Sequence, residues 1–288
     1  MNLEFRLKMA KQKAEAFLKE EGITSLPIDP FAIAASRGIS VVAKPDTSEG
    51  VSGMLLRHGD NFGILYATHI ASDGFQRFSV AHELGHYLLD GHIDHLLTET
   101  DIHVSHAGFV SADHYELEAD YFAAGLLMPK GLFKRAIGRR EPGLTAIEAM
   151  ANEFRTSLTA TAIRYAELTD DAIGIIISKG QVIEYCFLSE AMKSLPLLTW
   201  PRKGAAVPKG TETAQLNTDF NRILIADRAE NEIDVIDWLG GTRSSMITEE
   251  VIGLGNYGKT LTVLSSSSIG QEDDSEDDEA ERMPKFHR

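Results

Sequence analysis

The chain has 288 residues, 43% of them hydrophobic, and carries a formal charge of −15 at pH 7. That length and apolar content can bury a sizeable core and suggest two domains, while the acidity argues against nonspecific binding of nucleic acid, which needs a basic footprint. No apolar run approaches a membrane span, the charged opening Met1–Lys8 lacks the apolar centre of a signal peptide, and a lone Cys186 fits a reducing compartment, so a cytoplasmic protein is expected.

In chain order, residues 4–21 place Phe5, Met9, Ala14, Phe17 and Leu18 on one helical face. Pro27-Ile28-Asp29-Pro30 marks a turn, and Phe31–Arg37 reads as a short helix ended by Gly38. Ile39–Ala43, Ser52–Arg57 and Phe62–Tyr66 read as strands, with Asp60-Asn61 as a hairpin turn. A helix is predicted over about 74–90. Ser72-Asp73-Gly74-Phe75-Gln76 supplies its cap, Phe75, Phe78, Ala81, Leu84 and Leu88 its apolar face, and Asp90-Gly91 its end. Residues 92–113 are polar and His-rich and read as a loop; a second strong helix spans about 114–128 and stops before Pro129. Leu144–Leu168 reads as two helices with the look of a helix-turn-helix. Its slightly acidic charge favours a hairpin packed on the rest over a DNA reader.

From Ala172 the pattern turns β-rich: Ala172–Ser178, Gln181–Phe187, Ile223–Ala226 and Thr260–Leu264 are expected strands, and Trp200–Gly204 and Trp238–Gly241 loop-like. Cys186 reads as a core thiol. Residues 271–288 hold eight acidic and three basic residues, a net −5 that leaves −10 elsewhere, and follow a run of serines; a disordered acidic tail is expected over 266–288. The expected domains are therefore 1–140, a helical segment 141–169, an α+β domain 170–265 and the tail.

His82-Glu83-Leu84-Gly85-His86 lies in the middle of the 74–90 helix. Positions i and i+4 share a helix face, so both imidazoles can reach one metal ion, and Glu83 falls where a general base for water belongs. A tetrahedral catalytic site needs a third protein ligand and one open position. Glu116 and Asp120 share a face of the second helix: Glu116 is the preferred ligand, and Asp120 can accept a hydrogen bond from the far ring nitrogen of a ligand histidine. Glu118, rotated about 200° from Glu116 at 100° per residue, is the rival ligand. His92, His95, His103, His106 and His114 read as loop polar residues, any of which could replace Glu116. The donor to a developing oxyanion stays open among Tyr87, Tyr115, Tyr121 and these histidines. Two His and a carboxylate suit zinc better than magnesium or calcium.

Arg77–Leu89, enclosing the H-E-L-G-H element, together with Glu116-Leu117-Glu118-Ala119-Asp120-Tyr121-Phe122-Ala123-Ala124-Gly125-Leu126-Leu127-Met128-Pro129, resembles the ImmA/IrrE family of metallopeptidases. Leu26–Pro30 and Ser52–Leu55 extend the likeness, which covers about 20–168. Many members have Asn where this chain has Asp120. The resemblance implies an α+β chain with a zincin-like (gluzincin-type) peptidase domain carrying a helical hairpin, then a smaller GAF/PAS-like α+β domain. It implies a zinc site of His82, His86 and Glu116 with Glu83 as catalytic base. It also implies an endopeptidase acting on a helix-turn-helix repressor of the Cro/phage type, so that stress-response or mobile-element genes are derepressed. The strand Ser52–Arg57 is expected to receive extended substrate at its edge. The alternative is a metal-binding regulator that sequesters its partner without cutting it; a general base at Glu83 favours the peptidase.

Overall fold

The computed structural model describes residues 2–45, 50–97, 101–106, 113–195, 199–242 and 244–266. In order, the elements are α1 (Leu3–Glu20), α2 (Pro30–Ser36), β1 (Ser40–Lys44), β2 (Val51–His58), β3 (Asn61–Ala67), α3 (Asp73–Leu88), α4 (His92–Leu96), β4 (Ile102–His106), α5 (His114–Leu127), α6 (Lys130–Ile137), α7 (Leu144–Phe154), α8 (Leu158–Leu168), β5 (Ala172–Lys179), β6 (Val182–Leu188), α9 (Glu190–Lys193), α10 (Glu212–Leu216), α11 (Phe220–Leu224), β7 (Arg228–Asp234), α12 (Val235–Leu239), β8 (Met246–Gly253), a 3-10 turn at Gly255–Tyr257 and β9 (Thr260–Ser266). The chain is mixed α+β and divides into two compact units, 1–136 with 147–161, and 137–146 with 162–288.

In the first unit the starts of the helices are fixed by their caps. Asn2, Asp29, Ser72 and Asp113 each accept a backbone N–H from the first turn of α1, α2, α3 and α5, satisfying donors that a helix leaves unpaired. Gly91 takes a left-handed φ of +79° just past α3 and opens α4. Helix α3 packs on β2, β3 and α5, and α1 lies along α5. Between them Leu55, Ile64, Leu84, Phe122 and Leu126 are fully buried. Asp73, in the first turn of α3, accepts two hydrogen bonds from Arg155, at 3.0 and 2.8 Å, which pins the turn after α7 to the helix.

The sheet of this unit runs β1-β3-β2-β4, with β1 parallel to β3 and β2 antiparallel to both its neighbours. Two expectations are corrected here. Residues 92–113 are not a loop throughout: His92–Leu96 is helical and Ile102–His106 is a strand, while 98–100 and 107–112 lie outside the described residues. Consequently Ser52–Arg57 is no edge. β4 covers it from Leu56↔Ile102 to Val51↔His106 and is itself the edge on that side. Ile102 to His106 alternates in the strand period, but its three polar residues concealed it.

The second unit is built on an antiparallel sheet in the order β6-β5-β9-β8-β7. Its core is Ile176, Ile183, Leu188, Met192, Val235, Trp238, Leu239, Ile247 and Leu264, with Cys186 packed against it. Burial pushes the Cys186 thiol up to about 11, so it stays protonated at neutral pH. Glu249, fully buried on β8, accepts the N–H groups of Glu212 and Thr213 and the Thr213 hydroxyl, an anion set against the first turn of α10. Ile223–Ala226 is not a strand: Asp219 caps a helix at Phe220–Leu224, and Ala226 adopts φ +54°. Trp238 belongs to α12, which ends at Gly240. The acidic segment from 267 lies outside the described residues.

Candidate metal centre

The H-E-L-G-H element falls at the buried centre of α3, with His82, Glu83 and His86 among its most enclosed residues. Gly85 faces α5: a Cβ there would lie 3.2 Å from the Ala119 Cα and 3.2 Å from the Phe122 ring. The absence of a side chain at 85 lets the two helices approach closely, and that approach carries Glu116 to the histidines.

His82 Nε2 is 3.0 Å from His86 Nε2, Glu116 Oε2 is 3.4 Å from His82 Nε2, and Glu116 Oε1 is 3.2 Å from His86 Nε2. Ligands about 2.0–2.1 Å from a tetrahedral zinc lie about 3.3 Å apart, and the two imidazole nitrogens and the Glu116 carboxylate, which turns one oxygen toward each ring, are spaced on that scale. Among the described residues, His82, His86 and Glu116 are the group whose ligand atoms converge in this way. Two imidazoles and one carboxylate are a donor set that fits zinc.

Each histidine is also held from behind. His82 Nδ1 meets Asp120 Oδ1 at 2.8 Å. A ring that presents Nε2 to a metal carries its proton on Nδ1 and donates it to that carboxylate. His86 Nδ1 meets His92 Nδ1 at 3.0 Å, and His92 Nε2 meets Glu118 Oε2 at 3.2 Å. Glu118 further accepts from Arg6 Nε of α1. Glu118 therefore engages Arg6 and His92, while Glu116 lies beside His82 and His86.

Glu83 is fully buried, and neither carboxylate oxygen accepts a hydrogen bond of ordinary geometry. A Cβ at position 53 would lie 2.5 Å from its Oε1, so Gly53 on β2 leaves the space this carboxylate occupies. Burial pushes the Glu83 carboxyl up to about 7, against the opposing pull of His82, Ser105 and His103. Burial disfavours charge on His82, but hydrogen bonds to Asp120 and Glu116 outweigh it and push the ring up to about 10. His86 is pushed down to about 3, by burial first. Burial opposes ionisation of Glu116, but hydrogen bonds from His103, His82 and His86 hold it far below the usual carboxylate range.

Two residues read as loop polar groups belong to this constellation. His103 Nε2 is 2.8 Å from Glu116 Oε1, and its ring stands edge-on to that of His86 at 4.8 Å. His92 is buried completely behind His86. The signal for His103 was the alternation Ile102, His103, Val104, Ser105, which puts His103 and Ser105 on one strand face. Nothing in the local sequence distinguishes His92. Of the three tyrosines, Tyr87 is edge-on to Phe62 and Tyr121 sits under Lys11, while Tyr115 is stacked on His95 and stands edge-on to His92 at 4.9 Å.

Residues 34–165 match the family model for peptidase M78, described as the IrrE N-terminal-like domain. The likeness to that domain covers residues 34–165 of this chain. The match holds both α3 and α5, and so every side chain of the centre described above except Arg6. A solved structure described as a Mycobacterium tuberculosis transcriptional regulator is similar over 92% of this chain and 82% of that one, with a TM-score of 0.57 at 18% identity, a likeness of fold alone. A search of curated proteins gives no match. Among the described residues no helix is long and apolar enough to cross a membrane.

Proposed function

We propose that the chain is a zinc-dependent endopeptidase, and that its IrrE N-terminal-like domain holds the metal on His82, His86 and Glu116. The observation that supports this most strongly is Glu83: a fully buried carboxylate, drawn toward Ser105 but with no hydrogen bond of ordinary geometry, beside a converging His–His–Glu face. A purely structural metal site needs no such base, and an unpaired buried carboxylate is costly to keep without a role. Zinc, when bound, supplies the Lewis acidity that activates water and polarises the scissile carbonyl.

Glu83 takes a proton from the attacking water and passes it to the leaving amine, a role suited to a carboxyl near pH 7. Asp120 orients His82. His103, whose Nε2 lies 2.8 Å from Glu116 Oε1, orients that carboxylate. Extended substrate adds along the outer side of β4, which takes the place of Ser52–Arg57 as the edge.

The substrate class rests on kinship. The resemblance to ImmA/IrrE enzymes supports a helix-turn-helix repressor, cleaved in the cytoplasm to release stress-response or mobile-element genes. On the same ground the first unit is read as zincin-like and the second as GAF/PAS-like. Incubating the full chain with zinc and the repressor encoded beside its gene, with and without chelator, tests the reading. A metal-dependent fragment in the mass spectrum is expected. A stable complex with no fragment would replace the peptidase with a regulator that sequesters its partner.

A further inference from the structure

Behind His86 the side chains form a line. His86 Nδ1 contacts His92 Nδ1 at 3.0 Å, His92 Nε2 contacts Glu118 Oε2 at 3.2 Å, and Glu118 takes the guanidinium of Arg6 on its other oxygen. His92 is fully buried, Glu118 is 8% exposed, and the Arg6 guanidinium also lies over the Tyr115 ring. A histidine that merely filled the core would need partners of no particular sequence. Here both ring nitrogens are used, in one direction. If His86 presents Nε2 to a metal, its Nδ1 carries the proton and donates it to His92 Nδ1. The remaining proton of His92, on Nε2, then points at Glu118. With both rings neutral and Glu118 ionised, one arrangement of protons satisfies the whole line, and it is the arrangement that leaves His86 Nε2 free to ligate.

We propose that His92, Glu118 and Arg6 are positioning residues for the metal ligand His86, a relay that fixes its tautomer and ring orientation and ties helix α1 to the metal centre. This rests on His86 being a ligand. It assigns the carboxylate of Glu118 to orienting a ligand, with Glu116 doing the ligation. The two histidines of the motif are then supported in different ways: His82 directly by a carboxylate, His86 through an intervening imidazole.

The test is zinc affinity of the full chain, measured by competition with a chromophoric chelator and independent of any cleavage assay. Losing an orienting partner behind a ligand weakens metal binding about 10- to 100-fold. His92→Leu is expected to do so. In His92→Gln an amide oxygen can accept from His86 while its NH2 donates toward Glu118, so affinity within about threefold of wild type is expected. Glu118→Gln and Arg6→Gln should each weaken binding by a smaller factor. The His92→Leu/Glu118→Gln pair should be no weaker than His92→Leu alone, because the residues act through one line.

Should His92→Leu fail to fold, the glutamine variants at 92, 118 and 6 still decide the matter. Wild-type affinity in both Glu118→Gln and Arg6→Gln would overturn the relay. His86→Ala separates the two levels. If it leaves affinity intact, the metal site itself is misassigned; if it abolishes binding while the relay variants do nothing, only the relay falls.

Discussion

Glu83 is the residue on which chemistry and stability meet. Its carboxyl is raised from 4.5 to about 7, chiefly by burial, so between those values the folded chain keeps a proton that the unfolded chain has released. The stability that this protonation lends is fully present below about pH 4.5 and is lost as pH rises through 7, a difference of about 3 kcal/mol. In chelator-treated protein, Glu83→Gln should therefore gain stability over wild type between pH 5 and pH 8. Denaturant titrations at the two pH values measure it, and a pH-independent difference would contradict the burial argument. Gly53 makes the same carboxylate possible. A methyl group 2.5 Å from Oε1 must displace it, so Gly53→Ala should lower the cleavage rate at least tenfold while zinc stoichiometry stays at one, read by metal analysis beside a kinetic assay.

Helices α3 and α5 form the centre by approaching each other at Gly85. A Cβ 3.2 Å from the backbone of Ala119 forces the pair apart by a few tenths of an ångström. Gly85→Ala should cost about 1–3 kcal/mol and weaken zinc binding several-fold, because Glu116 rides on the displaced helix. Unchanged affinity in that variant would mean that the spacing is not set at Gly85.

Both helices were legible in the sequence, since caps at Ser72 and Asp113 and long apolar periods are strong local signals. Short elements were not. β4 is masked by its histidines, and α11 reads as a strand because Ile223-Leu224-Ile225 is apolar throughout and two of the three are β-branched. In the fold Ile223 is buried while Ile225 is 76% exposed. β7, Arg228–Asp234, went unread because it is charged and largely exposed, as an edge strand protected from further pairing often is.

At the scale of the whole molecule, the likeness to ImmA/IrrE peptidases was visible from two motifs alone, and the family match over 34–165 agrees with it. Which histidines stand near His82, His86 and Glu116 was not visible. Five lie between the motifs, and only packing separates His92 and His103 from the rest. The fold divides into two units, and the proposed metal binds in the first. A ligand that binds only the folded form stabilises it by about 4 kcal/mol at a thousand times its dissociation constant. Zinc should therefore raise the calorimetric transition of the unit holding His82, His86 and Glu116 and leave the other transition in place; equal shifts of both would show that the units unfold as one.

The most direct measurement compares wild type with Glu83→Gln, both loaded with zinc, on the neighbouring repressor. Removing a general base costs about 10²–10⁴-fold in rate without removing a metal ligand. The expected result is one zinc per chain in both proteins and a repressor fragment from the wild type alone. Undiminished cleavage by Glu83→Gln would contradict the proposal that this buried carboxylate drives peptide hydrolysis.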